Sequence, residues 1–176
     1  MATRNPHVVA TRIVQDAGGA LVGRTRLQKV AYLTQLAGFG EDFDFEYRHY
    51  GPYSEDLARG MDIATAFGKV AEDEKRAVWG GKYSIFSLKN PADPDDPLRA
   101  AFVQQAKCIN AVELELAATA AFLFAVEKKP DPWSETKLRK PKKADEGRLE
   151  RAMAAYEVLR TMNTPQKLPA LPPISD

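Results

Sequence analysis

The chain has 176 residues, enough for one domain, and 44% of them are apolar, which supplies a sizeable core. Its 25 basic and 24 acidic side chains leave a formal net charge of +1, so no overall field draws it to nucleic acid or to an anionic membrane, and such binding needs a local patch. The single cysteine, Cys108, rules out an internal disulfide and a cysteine-based metal cluster, and it suits a reducing cytoplasm.

The first residues lack the charged-then-apolar layout of a secretory signal. The longest apolar run, residues 116–126, is broken only by Thr119 and is about half the roughly 20 residues a bilayer requires. A soluble cytoplasmic protein with no membrane partner is expected.

A first helix is expected over residues 6–17, with Asn5 as its cap and Pro6 in the first position. Val9 and Ile13 share one face, and Gly18-Gly19 ends it. Residues 24–37 read as a second helix. Leu27, Val30, Ala31, Leu33 and Leu36 recur at three- and four-residue steps, while Arg24, Gln28 and Gln35 lie on another face. Gly38 stops it. Over residues 41–50, Phe43, Phe45, Tyr47 and His49 alternate with Asp44, Glu46 and Arg48, which argues a short strand or extended arm. Gly51-Pro52 then breaks it. Ser54 caps a third helix with Glu55 and Asp56 in its first turn and Gly68 at its end. Residues 70–79 and 82–89 form a hairpin around Gly80-Gly81, a two-residue loop suited to positive φ. Three helices followed by a hairpin is the order of a winged helix.

Residues 90–97 are a Pro- and Asp-rich linker. Residues 98–108 form one helix, or the first half of a longer one. Residues 114–126 are apolar nearly all round, the mark of a buried central helix. Pro130-Asp131-Pro132 ends that segment, and residues 137–143 make a basic loop. A last amphipathic helix spans about 145–162, with Leu149, Met153, Tyr156 and Leu159 on its stripe. The tail after Asn163, with its four prolines, orders only by docking. The expected fold is mostly α (α+β). A single domain, 1–163, joins a winged-helix-like part (1–90) to a helical layer (98–163), and a Pro-rich tail, 164–176, follows.

No catalytic constellation is visible. His7 and His49 stand far apart, without metal-ligand spacing. Cys108 and His49 could pair as nucleophile and base, but Cys108 sits among Ala106, Ile109 and Ala111 and reads as a core thiol. Gly18-Gly19 and Gly80-Gly81 read as turns, so no phosphate loop is present. Glu113 and Glu115 lie about 200° apart around a helix and cannot converge on one substrate. No enzyme activity, cofactor or metal is expected.

Leu27-Gln28-Lys29 with Tyr32-Leu33, and then Phe45-x-Tyr47-x-x-Tyr50-Gly51-Pro52-Tyr53-Ser54-x-x-Leu57, carry a resemblance. So do Glu113-Leu114-Glu115-Leu116-Ala117-Ala118-Thr119 and the 137–143 segment downstream. Over residues 20–162 the chain resembles the bacterial YwgA-like proteins and, more distantly, the SocA or Panacea antitoxin domain. The latter resemblance implies neutralisation of a toxin in a prokaryotic toxin–antitoxin pair. It brings no catalytic residue.

Two surfaces are candidates for binding. Arg48, His49, Tyr50, Tyr53 and Arg59 lie around Gly51-Pro52, and Tyr and Arg are types that carry interface energy, so a protein partner is expected there. The alternative is a DNA-binding regulator using Lys137, Arg139, Lys140, Lys142 and Lys143. A second basic group, Arg24, Arg26 and Lys29, opens the second helix. Against DNA, the third helix sets Glu55, Asp56 and Asp62 against Arg59 alone, and phosphate is repelled by that sign. An acidic front and a basic loop also suit self-association.

Overall fold

The computed structural model describes residues 5–175. The front of the molecule holds α1 (Pro6–Asp16), α2 (Arg24–Leu36) and α3 (Glu55–Ala66), with β1 (Ala20–Val22), β2 (Glu46–Arg48), β3 (Gly51–Tyr53), β4 (Ala71–Arg76) and β5 (Lys82–Ser87) between and after them. The back is helical: α4 (Pro97–Lys107), α5 (Ala111–Ala125), α6 (Pro132–Arg139), α7 (Pro141–Ala144) and α8 (Arg148–Arg160). The chain is thus mostly helical with two small antiparallel sheets. One has the order β1-β5-β4, and the other is the hairpin β2-β3.

α5 is the axis of the back. Its composition, Ala- and Leu-rich, gives high helix propensity and lets neighbours approach closely. The Asn110 side chain caps it by accepting from Val112 N and Glu113 N. Every residue from Leu114 to Leu123 is buried, and α2, α6, α8 and β3 pack on it. One contiguous cluster of buried residues runs from Val9 to Leu168 and unites front and back. No single helix among the described residues is long and apolar enough to cross a membrane. α4 and α5 are separate helices, bent by 118° at their junction.

A buried ion pair fastens the two halves. Asp16, at the end of α1, accepts from Arg99 Nε at 2.6 Å and from Nη2 at 3.2 Å. Both residues are buried. Gln104 donates to the Asp16 carbonyl, and Arg26 of α2 donates to the carbonyls of Lys107 and Ile109. Arg26 therefore holds the α4–α5 turn to α2.

Several expectations are corrected. The outer hairpin closes through residues 77–81, not through a two-residue Gly-Gly loop. Arg76 faces Lys82, Ala77 N donates to Gly81 O at 2.7 Å, and only Gly80 of the two glycines has positive φ. Gly51-Pro52 is no break; it forms strand β3, and the turn is His49-Tyr50. The strand in the 41–50 arm shrinks to Glu46–Arg48. The basic segment 137–143 is not a loop but the end of α6 and most of α7. The prolines start these helices: Asp131 caps α6 by accepting from Ser134 N, and Pro132 and Pro141 open α6 and α7. Cys108 is exposed rather than a core thiol. It caps α4 two residues past Ala106, which faces the core with Phe102 and Val103. At the other end Asn5 makes no side-chain cap; its carbonyl accepts from Val8 N and Val9 N instead.

The tail docks. Leu168 is buried, Tyr156 Oη donates to Pro169 O at 2.6 Å, Arg160 Nε donates to Leu168 O, and Gln166 N donates to Ala37 O. It therefore straps α8 to the end of α2.

Removing one partner of a buried pair strands the other charge, at a cost of about 3–5 kcal/mol. Arg99→Ala is expected to lower the free energy of unfolding in urea by that amount, since Asp16 is left in the core.

Candidate functional site

The hairpin β2-β3 is held from below by α2. Gln28 spans Ser54: its Oε1 accepts from Ser54 N at 2.8 Å and its Nε2 donates to Ser54 O at 2.9 Å. Lys29 Nζ donates to Pro52 O at 2.8 Å. Gln28 and Lys29 are 3% and 1% exposed, so these bonds form away from water and are costly to lose. Ser54 in turn accepts from Leu57 N and starts α3. Gly51 is buried with φ of 95°, and a Cβ there would lie 2.5 Å from Thr119 Oγ1 of α5. Only glycine lets the hairpin rest on α5 in this way.

The hairpin tip is held from the side by α5, α6 and α7. Glu115 is 4% exposed and accepts from Lys140 at 2.8 Å and from Lys143 at 2.8 and 2.7 Å. Lys140 Nζ also donates to the His49 carbonyl at 3.0 Å. Glu113, on another face of α5, pairs with Arg151 instead. The four motifs of the sequence thus converge on one place.

Above this network lies an open cleft of about 810 Å³. Tyr47, Arg48 and His49 form one wall, and residues 139–143 form the other. Arg48 is paired with Glu46 and Glu55 and lies 4.8 Å over the Tyr53 ring. Arg139 is paired with Glu127 and Glu135 and lies 4.8 Å over the Tyr47 ring. Lys143 sits 4.7 Å over Tyr50, whose exposed ring meets His49 edge-on. Lys142 is exposed and has no ion-pair partner among the described residues.

The two candidate surfaces are therefore one. The structure brings Arg48, His49, Tyr50 and Tyr53 together with Arg139, Lys140, Lys142 and Lys143. It leaves out Arg59, which is exposed on α3 and pairs with Asp56, and Lys137, which is exposed on α6 outside the cleft. The basic group at the start of α2 is not a patch. Arg24 is taken by Glu72 and Asp62, Arg26 by backbone carbonyls, and Lys29 is buried. Cys108, on α4, makes no contact with His49 among those the described residues show.

Sequence reasoning missed Gln28, Lys29 and Glu115. A signal existed for the first two: Gln28 and Lys29 sit between Leu27 and Val30-Ala31 in a helix buried from Leu27 to Thr34. Polar residues inside such a run face buried partners, not water.

The chain is similar to the uncharacterized protein YwgA of Bacillus subtilis (strain 168), with 24% identity over 127 residues. The match covers 69% of this chain and 76% of that protein. The expected resemblance to YwgA-like proteins is borne out. No protein-family model matches the chain, so the Panacea resemblance has no such support.

Lys29 gives the site a pH signature. Burial, joined by repulsion from Lys140 and Lys143 and opposed by Glu115, lowers its pKa to about 8. Between about 8 and the unfolded value near 10.4, the unfolded chain holds a proton that the folded chain has released, so stability rises with pH. The full shift is worth at most about 3 kcal/mol. Burial raises the Tyr32 and Tyr156 hydroxyls, so above about pH 10 the unfolded tyrosines ionise first and stability falls. Urea unfolding between pH 7 and 11 is expected to show a maximum near pH 9–10, and Lys29→Met is expected to abolish the rising limb.

Proposed function

We propose that this protein is a non-catalytic interaction module of the bacterial cytoplasm, holding a partner protein on the face formed by the β2-β3 hairpin and the α6–α7 junction. Neutralisation of a toxin is the role that the Panacea resemblance suggests for it. The observation that carries the reading is the shared cleft. Arg48 and His49 of the hairpin line the same opening as Arg139, Lys140, Lys142 and Lys143. The rim offers Tyr50 and Tyr53 with Arg48 and Arg139, types enriched where interface energy concentrates. The hairpin is fixed by Gln28, Lys29 and Lys140, so the contact surface is organised before a partner arrives, and binding has less ordering cost to overcome.

The front part is read here as winged-helix-like: three helices with a β1-β5-β4 sheet. In that arrangement α3 and the outer hairpin would meet DNA. They carry Glu55, Asp56, Asp62, Glu72, Asp73 and Glu74 against Arg59, Lys75, Arg76 and Lys82, which leaves acids in excess, and the nearby Arg24 is already held by Asp62 and Glu72. The sign favours a protein partner over a DNA-binding regulator.

Affinity capture of the tagged protein from its own cells, with and without nuclease, tests this. A stoichiometric protein that survives nuclease is expected. Tyr50→Ala with His49→Ala should reduce its recovery about tenfold while leaving thermal unfolding within a few degrees, because both side chains are exposed. Arg59→Glu should leave recovery unchanged. Capture that disappears with nuclease would move the function to the nucleic-acid regulator.

A further inference from the structure

We infer that the inner end of this cleft is an oxyanion seat, which takes a carboxylate from an acidic segment of the partner protein. The inference rests on the interaction-module reading and specifies the chemistry of what is bound.

The charge around the cleft is not evenly answered. Arg48 and Arg139 each have two carboxylates of their own. They frame the opening and have few free donors. Behind them, Lys29, Lys140 and Lys143, with the exposed Lys142 at the opening, have one carboxylate among them, Glu115. An ammonium carries three N–H donors. Lys140 spends its bonds on Glu115 and the His49 carbonyl, and Lys143 on the two Glu115 oxygens, so each retains a donor. Lys142 retains all of its donors among the described residues. The Lys140 side chain is only 5% exposed, so its charge acts in a medium of low dielectric, where an added anion gains more than it would at an open surface. Lys29 beneath reports the same excess: burial and its lysine neighbours depress its pKa in spite of Glu115.

The geometry selects the source of the anion. The rim carries Glu46, Glu55, Glu127 and Glu135 beside the two arginines. A duplex laid across the opening brings its phosphates against those carboxylates. An Asp or Glu side chain on a flexible segment passes between the rims and reaches the lysines. The arginine forks that grip phosphate in two-point fashion are already occupied.

The test uses the full chain and fluorescence anisotropy with labelled hexaglutamate. Hexaglutamine at equal salt, inorganic phosphate as competitor, and a DNA duplex serve as comparison probes. Hexaglutamate is expected to bind and hexaglutamine not. Lys142→Glu is expected to weaken binding about tenfold or more, and Lys137→Glu, the same charge change outside the cleft, by less than about threefold. Neither side chain is paired, so both variants are expected to fold as the wild type does. Equal binding of the two peptides, equal weakening by the two substitutions, displacement by equimolar phosphate, or tighter binding of the duplex would each overturn the seat. Partner capture separates the two levels. If Lys142→Glu captures the partner normally while Tyr50→Ala with His49→Ala does not, the contact face stands and the carboxylate seat falls.

Discussion

The Gln28 side chain, bonded to both backbone groups of Ser54, sets the geometry from which the rest of the front follows. A side-chain amide can complete the bonding of a peptide group only if the helix bearing it is fixed in rotation and depth. That one contact therefore registers α2 against the end of β3. It also places Ser54 where its hydroxyl caps α3, so the start of the third helix is decided by the second. Lys29, one residue on, holds Pro52 O, and Gly51 is pressed to α5 where no Cβ fits. A short hairpin with three residues in each strand is marginal alone in water. Here it is a rigid feature because α2 and α5 supply what the strands cannot.

The Glu115 cluster does a different kind of work. A buried carboxylate with two ammoniums gives little net stability, since desolvation offsets most of the attraction. Apolar residues of similar volume would fill the space at lower cost. What the cluster provides is position: it ties α5, α6 and α7 to the His49 carbonyl at the hairpin tip. The excess of lysine over carboxylate is costly to folding, and a negative group from outside would relieve it. The Asp16–Arg99 pair is the contrast. It too is buried, yet Asp95 and Asp96 also approach Arg99, so the cation is fully answered and the pair reads as a fastener.

Much of the fold was legible because its signals are local. The helices have apolar periodicity, Ser54 and Gly38 sit at ends, and residues 114–126 are apolar all round, so α1 to α5 and α8 follow from sequence with small shifts of boundary. α6 was not legible because Pro130-Asp131-Pro132 serves equally to end one helix and begin the next, and only the cap from Asp131 decides. The hairpin β2-β3 was hidden for a similar reason: Gly-Pro is a turn signal, and its place in a strand depends on Lys29 taking the Pro52 carbonyl. The candidate site was half legible. Its exposed members could be picked by type, but their union could not, because residues 48–53 and 139–143 are far apart in sequence and meet through Lys140, which bonds both the His49 carbonyl and Glu115. Gln28 was set on a face apart from the apolar stripe and Lys29 in a basic group with Arg24 and Arg26, because the buried carbonyls that hold them, at Ser54 and Pro52, are distant in sequence.

The outer hairpin offers a rival surface, and the physics of its tip argues against it. Val78 and Trp79 are the most exposed large apolar residues, and a free indole at a hairpin tip would be a natural anchor. The Trp79 ring, however, folds back over Gly81, so closely that a Cβ there would overlap it. Its contact face is partly spent within its own loop. The strands behind it present Glu72, Asp73, Glu74, Lys75 and Arg76, and charge of both signs along an edge strand resists pairing with another chain. Among the described residues the backbone bonds of this tip stay within its own turn, whereas β2-β3 is held by α2, α5 and the α6–α7 junction. A partner binding the outer tip would have to order it. One binding at Tyr50 and His49 would meet a surface whose backbone is already fixed by buried side chains, and that difference in ordering cost favours the inner hairpin as the proposed contact face.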